Sequence, residues 1–462
     1  MPKKAHFIGI GGVGMSAVAK LLRDAGVAVT GSDEEVYPPV LDFLRREYIS
    51  FKTPYAARNI PADAELIVIG KNAKLVPETN EEVAAAYAGD IPVKSFPEVL
   101  AELAKDKTAL VVAGSIGKST CTALLAHCME HAGLKPSYFV GAIPVAGDNA
   151  RIDAGEHFVL EGDEYPASNT DPRSKFLLLH PQHTLITPLA HDHFNVFPTP
   201  ADYLRPFGEL MRTTPGTVAL CTEGPLSKEF LASLARPVVT YGLDEGEFRA
   251  SDIAWGERTH FSVLQNTAIA ARVETTLLGK HNVQNIVGVA AFVFSLNLMS
   301  PEQFAAGIAS FKGLVRRLDK KSERTSIPIY EGFGSSYEKV RSAIEAMALH
   351  FPDKRLLVVF EPYTINWRRR ETVPQYDSVF NGAGVVYLLE PPLHGKAQEI
   401  TIEEIAAQVK GVPTHACKTA EQVLGHLAND LHPDDAILLL SSGPVGGLVE
   451  SIPRLAEQKF PK

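Results

Sequence analysis

Residues 110–120 read Leu110-Val111-Val112-Ala113-Gly114-Ser115-Ile116-Gly117-Lys118-Ser119-Thr120. An apolar, β-rich run ends in a small turn punctuated by glycine. From Cys121 to Glu130 the apolar residues Leu124, Leu125, Cys128 and Met129 fall at helical spacing. Strand, Gly-x-x-Gly-Lys-Ser, helix is the layout of a phosphate-binding loop, here shorter than the standard spacing. Its glycines let backbone N–H groups close round phosphates, and the helix N-terminus adds a favourable dipole. Gly114, Ser115, Gly117, Lys118, Ser119 and Thr120 are therefore the candidate triphosphate contacts. Lys118 is expected on the β- and γ-phosphates, and the Ser119 hydroxyl on Mg²⁺.

The chain has 462 residues, which is too long for one core and points to about three domains. At 45% hydrophobic and 21% charged, its composition is that of an ordinary globular protein. A formal charge of −9 argues against a nucleic-acid or acidic-membrane partner. Cys121, Cys128, Cys221 and Cys417 show no C-x-x-C spacing and are expected as buried small hydrophobes in a reducing cytoplasm. No apolar run reaches membrane-spanning length, and no signal peptide is read at the N-terminus.

Working back from the loop, residues 1–106 form a first α/β segment. A strand over His6–Ile10 meets Gly9-Ile10-Gly11-Gly12-Val13-Gly14, a helix is expected over Met15–Ala25, and a second strand ends at Gly31-Ser32-Asp33. Gly9, Gly11, Gly12 and Gly14 make a diphosphate-binding turn, with Ser32 and Asp33 where a ribose would lie. The pattern fits NAD or a UDP-sugar equally. A further strand covers Leu66–Gly70, and a linking helix is expected over Val99–Lys107.

Residues 107–312 form the middle segment. Phe158-Val159-Leu160 runs into Glu161-Gly162-Asp163-Glu164 at a strand's C-terminal end, where an open α/β sheet places its site. Glu161 is the first choice to complete an oxygen shell round Mg²⁺. Leu185-Ile186-Thr187 leads to His191-Asp192-His193, which lacks the further Cys or His of a zinc site, so a single imidazole, His193, near a second Mg²⁺ is the better reading. Thr275–Leu278 leads into Gly279-Lys280-His281-Asn282-Val283-Gln284-Asn285, whose Asn and His side chains either meet a base edge or cap the next helix. Residues 313–462 read as another doubly wound α/β segment, with Arg316-Arg317, Glu331, Glu361-Pro362-Tyr363 and Ser441 to Gly447 near its strand ends.

In this order the motifs resemble those of the Mur ligases, ATP-dependent amide ligases of peptidoglycan synthesis. Gly114 to Thr120 resembles G-T-H-G-K-T-T, Glu161 to Tyr165 resembles E-A-D-E-Y, and Gly279 to Asn285 resembles G-x-H-N-x-x-N. Asp171-Pro172-Arg173-Ser174-Lys175-Phe176 is closest to the branch that joins a recycled peptide. The resemblance implies an α/β, three-domain architecture: a Rossmann-like UDP-binding domain (1–106), a central P-loop ATPase-like domain (107–312) and a C-terminal Rossmann-like domain (313–462). It implies ATP and Mg²⁺, a UDP-N-acetylmuramate-like acid, an amino acid or short peptide as amine, and acyl-phosphate chemistry in the cytoplasm.

The resemblance also implies roles. Lys118, Glu161 and His193 are the expected catalytic residues, and Ser119, Glu161 and His193 the Mg²⁺ ligands. His281, Asn282 and Asn285 are expected round the adenine, Arg317 near phosphate or ribose, and Glu331 on the ribose. Four departures stand out: Ile116 replaces a loop histidine, Ala190 an acid, Ser335-Ser336 two histidines, and Tyr363 an arginine. They leave open a ligase for a different carboxylic acid, or a nucleotide binder without catalysis.

Overall fold

Short apolar strands alternating with amphipathic helices fold, in chain order, into three largely parallel sheets. The computed structural model describes residues 1–392 and 399–462. The first sheet holds β1 (Lys4–Ile8), β2 (Ala28–Ser32), β3 (Ser50–Lys52), β4 (Leu66–Ile69) and β5 (Val93–Ser95), ordered 3-2-1-4-5. All of its pairings are parallel. β4 is buried along its whole length, as a strand covered on both faces must be.

The second sheet holds β6 (Thr108–Ala113), β7 (Ser137–Phe139), β8 (Ala150–Arg151), β9 (His157–Glu161), β10 (His183–Ile186), β11 (Val218–Cys221), β12 (Val239–Tyr241), β13 (Phe248–Ala254), β14 (Thr259–Gln265) and β15 (Ala268–Thr275), ordered 15-14-13-12-11-10-6-9-7-8. The third holds β16 (Arg317–Lys320), β17 (Ile329–Phe333), β18 (Arg355–Phe360), β19 (Val385–Leu389), β20 (Thr414–Cys417) and β21 (Asp435–Ser441), ordered 16-17-21-18-19-20. The chain packs as two compact units. One comprises Met1–Asp252, Phe261–Glu274 and Val283–Phe311, and the other Ile253–His260, Thr275–Asn282 and Lys312–Lys462.

Strand order fixes where ligands can enter. β1 lies between β2 and β4, and β6 between β9 and β10, so successive crossovers leave to opposite sides of each. Such switch points open a crevice at the strands' carboxyl ends. The glycine turn Gly9–Gly14 sits at one, and the loop 114–117 at the other.

Two expected boundaries move for local reasons. The helix expected from Cys121 starts at Lys118, because Gly117 at φ +90° turns the chain into it. The linking helix runs Phe96–Ala104, since Ser95 and Glu98 form a capping box with Pro97 in the first turn. All four cysteines are buried free thiols. Among the described residues no helix is long and apolar enough to cross a membrane.

One polar knot lies inside the first layer. Glu82 is fully buried and accepts from Ser32 Oγ (2.8 Å), Ala56 N (2.9 Å) and Asn59 Nδ2 (3.2 Å), with His6 Nε2 at 2.8 Å. Burial pushes its carboxyl up, but the four partners outweigh it and hold the pKa below the usual value. A depressed carboxyl stabilises the fold above its unfolded pKa and loses that contribution as the pH falls through the folded one. Glu82→Ala strands these partners in the core and is expected to cost about 3–5 kcal/mol. The check is a drop in thermal midpoint at pH 7 that shrinks towards pH 3.

Candidate active site

The loop between β6 and the helix Lys118–His131 is shaped by two close approaches. Gly114 has φ +131° and Gly117 φ +90°, and a Cβ on either would collide, with Thr187 Oγ1 and Asn285 Oδ1 respectively. Pro188 O accepts the Ser115 and Ile116 N–H groups (3.1 and 3.3 Å). Ser115 Oγ bonds Ala190 N and O, each at 2.8 Å, and Tyr203 Oη at 2.6 Å. The Ser115 hydroxyl thus anchors the loop to the chain after β10. The first-turn N–H groups of the following helix are left without intrahelical partners, as at any helix start.

Lys118 Nζ donates to Gly114 O (2.6 Å) and to Glu164 Oε2 (2.9 Å). Burial works against its ammonium, yet Glu164 and Asp163 outweigh it and raise its pKa. Glu164 is fully buried, and its other oxygen accepts from Tyr203 Oη (3.2 Å) and lies 3.3 Å from His193 Nε2. That contact raises the His193 pKa by favouring the imidazolium form beside the carboxylate. His193 has φ +54° and stands edge-on to the Tyr165 ring, 4.9 Å between centroids.

Glu161, at the end of β9, accepts from Ser119 Oγ (2.8 Å) and Gly141 N (2.6 Å). Burial pushes its carboxyl above the usual range, against the opposing pull of those two donors. Asp163 pairs with Lys175 (2.5 Å), and one ligand atom each from Asp163, Glu164 and His193 lies within 4.8 Å of the others. Thr187 Oγ1, beside Gly114, is buried with no hydrogen-bond partner among the described residues. A desolvated carboxylate, a hydroxyl on it and an orphaned oxygen suit a hard cation on phosphate. Ser119 and Glu161 therefore fit Mg²⁺, with Asp163, Glu164 and His193 as a second donor set.

Glu164 and Tyr203 were not singled out in the sequence. Glu164 stood in the quoted Glu161–Glu164 run, but only the fold shows that this carboxylate carries Lys118. Nothing local marks Tyr203.

A cleft of about 290 Å³ runs from the glycine turn to the end of β9, lined by Gly12, Gly14, Lys71, Phe96, Glu161 and Lys175 among others. Lys71 Nζ sits 4.6 Å from the Tyr165 ring centroid. Burial and Lys175 lower the Lys71 pKa. Asp33 faces the turn: Oδ2 accepts from Gly11 N (2.7 Å) and Oδ1 from Tyr55 Oη (3.0 Å). Gly9 has φ +88° and its N–H donates to Ser32 O. The Ser32 hydroxyl, expected near a ribose, is instead buried on Glu82.

In the second unit Glu331 is nearly buried and pairs with Arg316 (3.1 Å) and Lys321 (2.9 Å). Arg317, the arginine expected at nucleotide, lies with its guanidinium 5.9 Å from the Phe333 ring centroid. Asn282 Nδ2 donates to Leu278 O (2.8 Å). Asn285 lies in the first unit, against Gly117 and Cys121. The sites of two departures are also built in: Ser336 caps the helix Tyr337–His350, and Lys339 Nζ donates to Ser335 Oγ (3.0 Å). Tyr363 covers Gly443, where a Cβ would meet its ring. Beneath it Arg368 is buried, donating to Pro362 O and Tyr363 O, while Nη1 has no hydrogen-bond partner among the described residues.

Buried His350 holds the 279–282 turn. Its Nε2 accepts the Gly279 N–H (2.7 Å) and its Nδ1 lies 2.7 Å from Gly256 O. Only the neutral Nδ1–H tautomer serves both.

Two family models match the chain: the Mur ligase family catalytic domain over residues 4–108 and the Mur ligase middle domain over 112–293. The UDP-N-acetylmuramate–L-alanine ligase of Halorhodospira halophila is 31% identical, covering 96% of this chain and 92% of its own. A UDP-N-acetylmuramate–alanine ligase from Thermotoga maritima superposes with a TM-score of 0.79 at 23% identity over 99% of both chains. The UDP-N-acetylmuramate:L-alanyl-γ-D-glutamyl-meso-diaminopimelate ligase from Neisseria meningitides gives 0.61 at 29% identity, over 68% of this chain and all of that one.

His281 gives a pH prediction. Burial, then His350 and Arg317, lower its pKa from 6.5 to about 4. Between those values the unfolded chain binds more protons than the folded one, so stability falls as the pH drops from 6.5 towards 4 and is level above. His281→Gln should flatten that fall, read as thermal midpoints at pH 7.5, 6.0 and 4.5.

Proposed function

The chain belongs to the Mur ligase family, and from that premise we propose that it joins an amine to the carboxylate of UDP-N-acetylmuramate at the expense of ATP. The observation that carries this reading is the cleft running from the glycine turn to Glu161, whose carboxylate accepts from Ser119 of the phosphate loop. The diphosphate of a UDP-sugar would lie against Gly12 and Gly14, with Lys71 and Lys175 offsetting its charge and that of the carboxylate.

A carboxylate oxygen attacks the γ-phosphorus of ATP, ADP leaves, and an acyl-phosphate forms. The amine then attacks the acyl carbon, phosphate leaves, and the nitrogen loses a proton. Lys118 offsets the charge that builds on the transferring phosphoryl oxygens. Glu164 holds Lys118 at the loop until nucleotide arrives and orients His193. Ser119 and Glu161 would hold Mg²⁺, with His193 serving a second ion. Bound Mg²⁺ supplies further neutralisation of phosphate charge. His281, Asn282, Asn285, Arg317 and Glu331 are assigned to adenine, phosphate and ribose. We take the domain limits as 1–106, 107–312 and 313–462, and the working compartment as the cytoplasm, where ATP and UDP-sugars are made.

For the amine we favour a short peptide, as in murein peptide ligases, over free L-alanine. The Asp171–Phe176 run supports this, as does the likeness to the Neisseria meningitides enzyme.

Phosphate release measured with UDP-N-acetylmuramate, ATP and either L-alanine or L-alanyl-γ-D-glutamyl-meso-diaminopimelate decides the acceptor. Turnover with the tripeptide is expected. Turnover with L-alanine alone would overturn the peptide assignment, and none with any amine would favour a binder without catalysis. Lys118→Ala should lower kcat on the order of 10²–10³-fold. Unchanged ATP turnover in that variant would remove Lys118 from the reaction.

A further inference from the structure

β20 is the edge strand of the third sheet, and the helix Ala420–Asp430 follows it. His415 sits at the middle of β20, paired in register with Tyr387 of β19. His426 and Asp430 are four residues apart on the helix, so they share one face. The fold brings these three side chains together, and one ligand atom from each lies within 4.8 Å of the others. All three are half-buried.

The arrangement is ordered by Tyr387. Its ring stacks on His415 at 5.4 Å and 13°, and lies 6.1 Å from His426. The two imidazoles are 4.5 Å apart between centroids. Tyr387 Oη donates to Asp430 Oδ2 (3.1 Å), which leaves Oδ1 available and fixes the carboxylate plane. Arg355 Nη2 donates to the Asp430 carbonyl (2.7 Å) and its guanidinium forms its ion pair with Asp435, while its charge also acts on Asp430.

We propose that His415, His426 and Asp430 form a site for one divalent transition-metal ion of the zinc class. Two imidazoles and one carboxylate match the donor preferences of Zn²⁺, Ni²⁺ and Cu²⁺ and disfavour Mg²⁺ and Ca²⁺, which seek oxygen. Three protein ligands leave a coordination position for water or an outside donor. Tyr387 orients the carboxylate as outer partners of metal ligands do. The ligands belong to β20 and its following helix, so a bound ion would clip the edge strand to the helix. None of the residues assigned to nucleotide or acid substrate takes part.

The test uses full-length protein stripped with chelator and titrated with Zn²⁺ against a chromophoric chelator, in millimolar Mg²⁺ to occupy the phosphate-loop carboxylates. One site is expected, weakened at least tenfold in His415→Gln and in His426→Gln, and about tenfold in Tyr387→Phe, which keeps the ring but loses the hydrogen bond. His193→Gln should leave that site unchanged. The Co²⁺-loaded protein should show visible d–d bands that disappear in His426→Gln. A wild type without saturable binding, or binding lost in His193→Gln but kept in His415→Gln and His426→Gln, would overturn the site. Circular dichroism of each variant separates lost binding from lost folding, and Tyr387→Phe tests the site should a histidine variant fail to fold.

Discussion

The buried carboxylate of Glu164 is the constraint on which the first unit's site depends. A carboxylate removed from water must be compensated, and here Lys118, Tyr203 and His193 do so together. Those partners come from the phosphate loop, the helix Pro200–Thr213 and the segment after β10. One desolvated group therefore draws three separate pieces of chain to the carboxyl ends of β6, β9 and β10. The ammonium that would meet phosphate is already positioned, and an arriving anion competes with Glu164 for it rather than recruiting it from solvent.

Glu161 is the complementary case. It is part-buried, lines the cleft, and accepts from a hydroxyl and an amide, and desolvation raises its pKa. The site thus holds one carboxylate matched by a cation and one waiting for a cation. That asymmetry is what a metal–nucleotide complex requires, since the ion and the polyphosphate arrive together. In the cleft beyond, Lys71 and Lys175 supply positive charge on the side towards the glycine turn, with Tyr165 against both.

The second unit follows a different rule: its polar groups are fastened to backbone. His350 fixes the Gly279 turn, Arg316 reaches Ser442 O and Gly443 O while pairing Glu331, and Ser441 Oγ and Val445 N hold Glu361. Ser335 and Ser336 at the end of β17 are absorbed locally as well, Ser336 capping a helix and Ser335 meeting Lys339.

Sequence alone determined the parallel α/β class, the glycine loop before the helix that begins at Lys118, the first glycine turn and the placing of Glu161 at a strand's end. Each depends on short-range rules: strand periodicity, glycine spacing and a helix start. It also carried the family, because the motifs recur in order along the chain. Tertiary structure alone decided which acid Lys118 rests on, that Ser32 turns inward to Glu82, that Arg316 rather than Arg317 pairs Glu331, and that Asn285 packs on Gly117. Those outcomes turn on partners 15 to 168 residues apart in the chain, whose proximity follows from strand order and from the need to compensate each buried charge, and neither is written in local spacing.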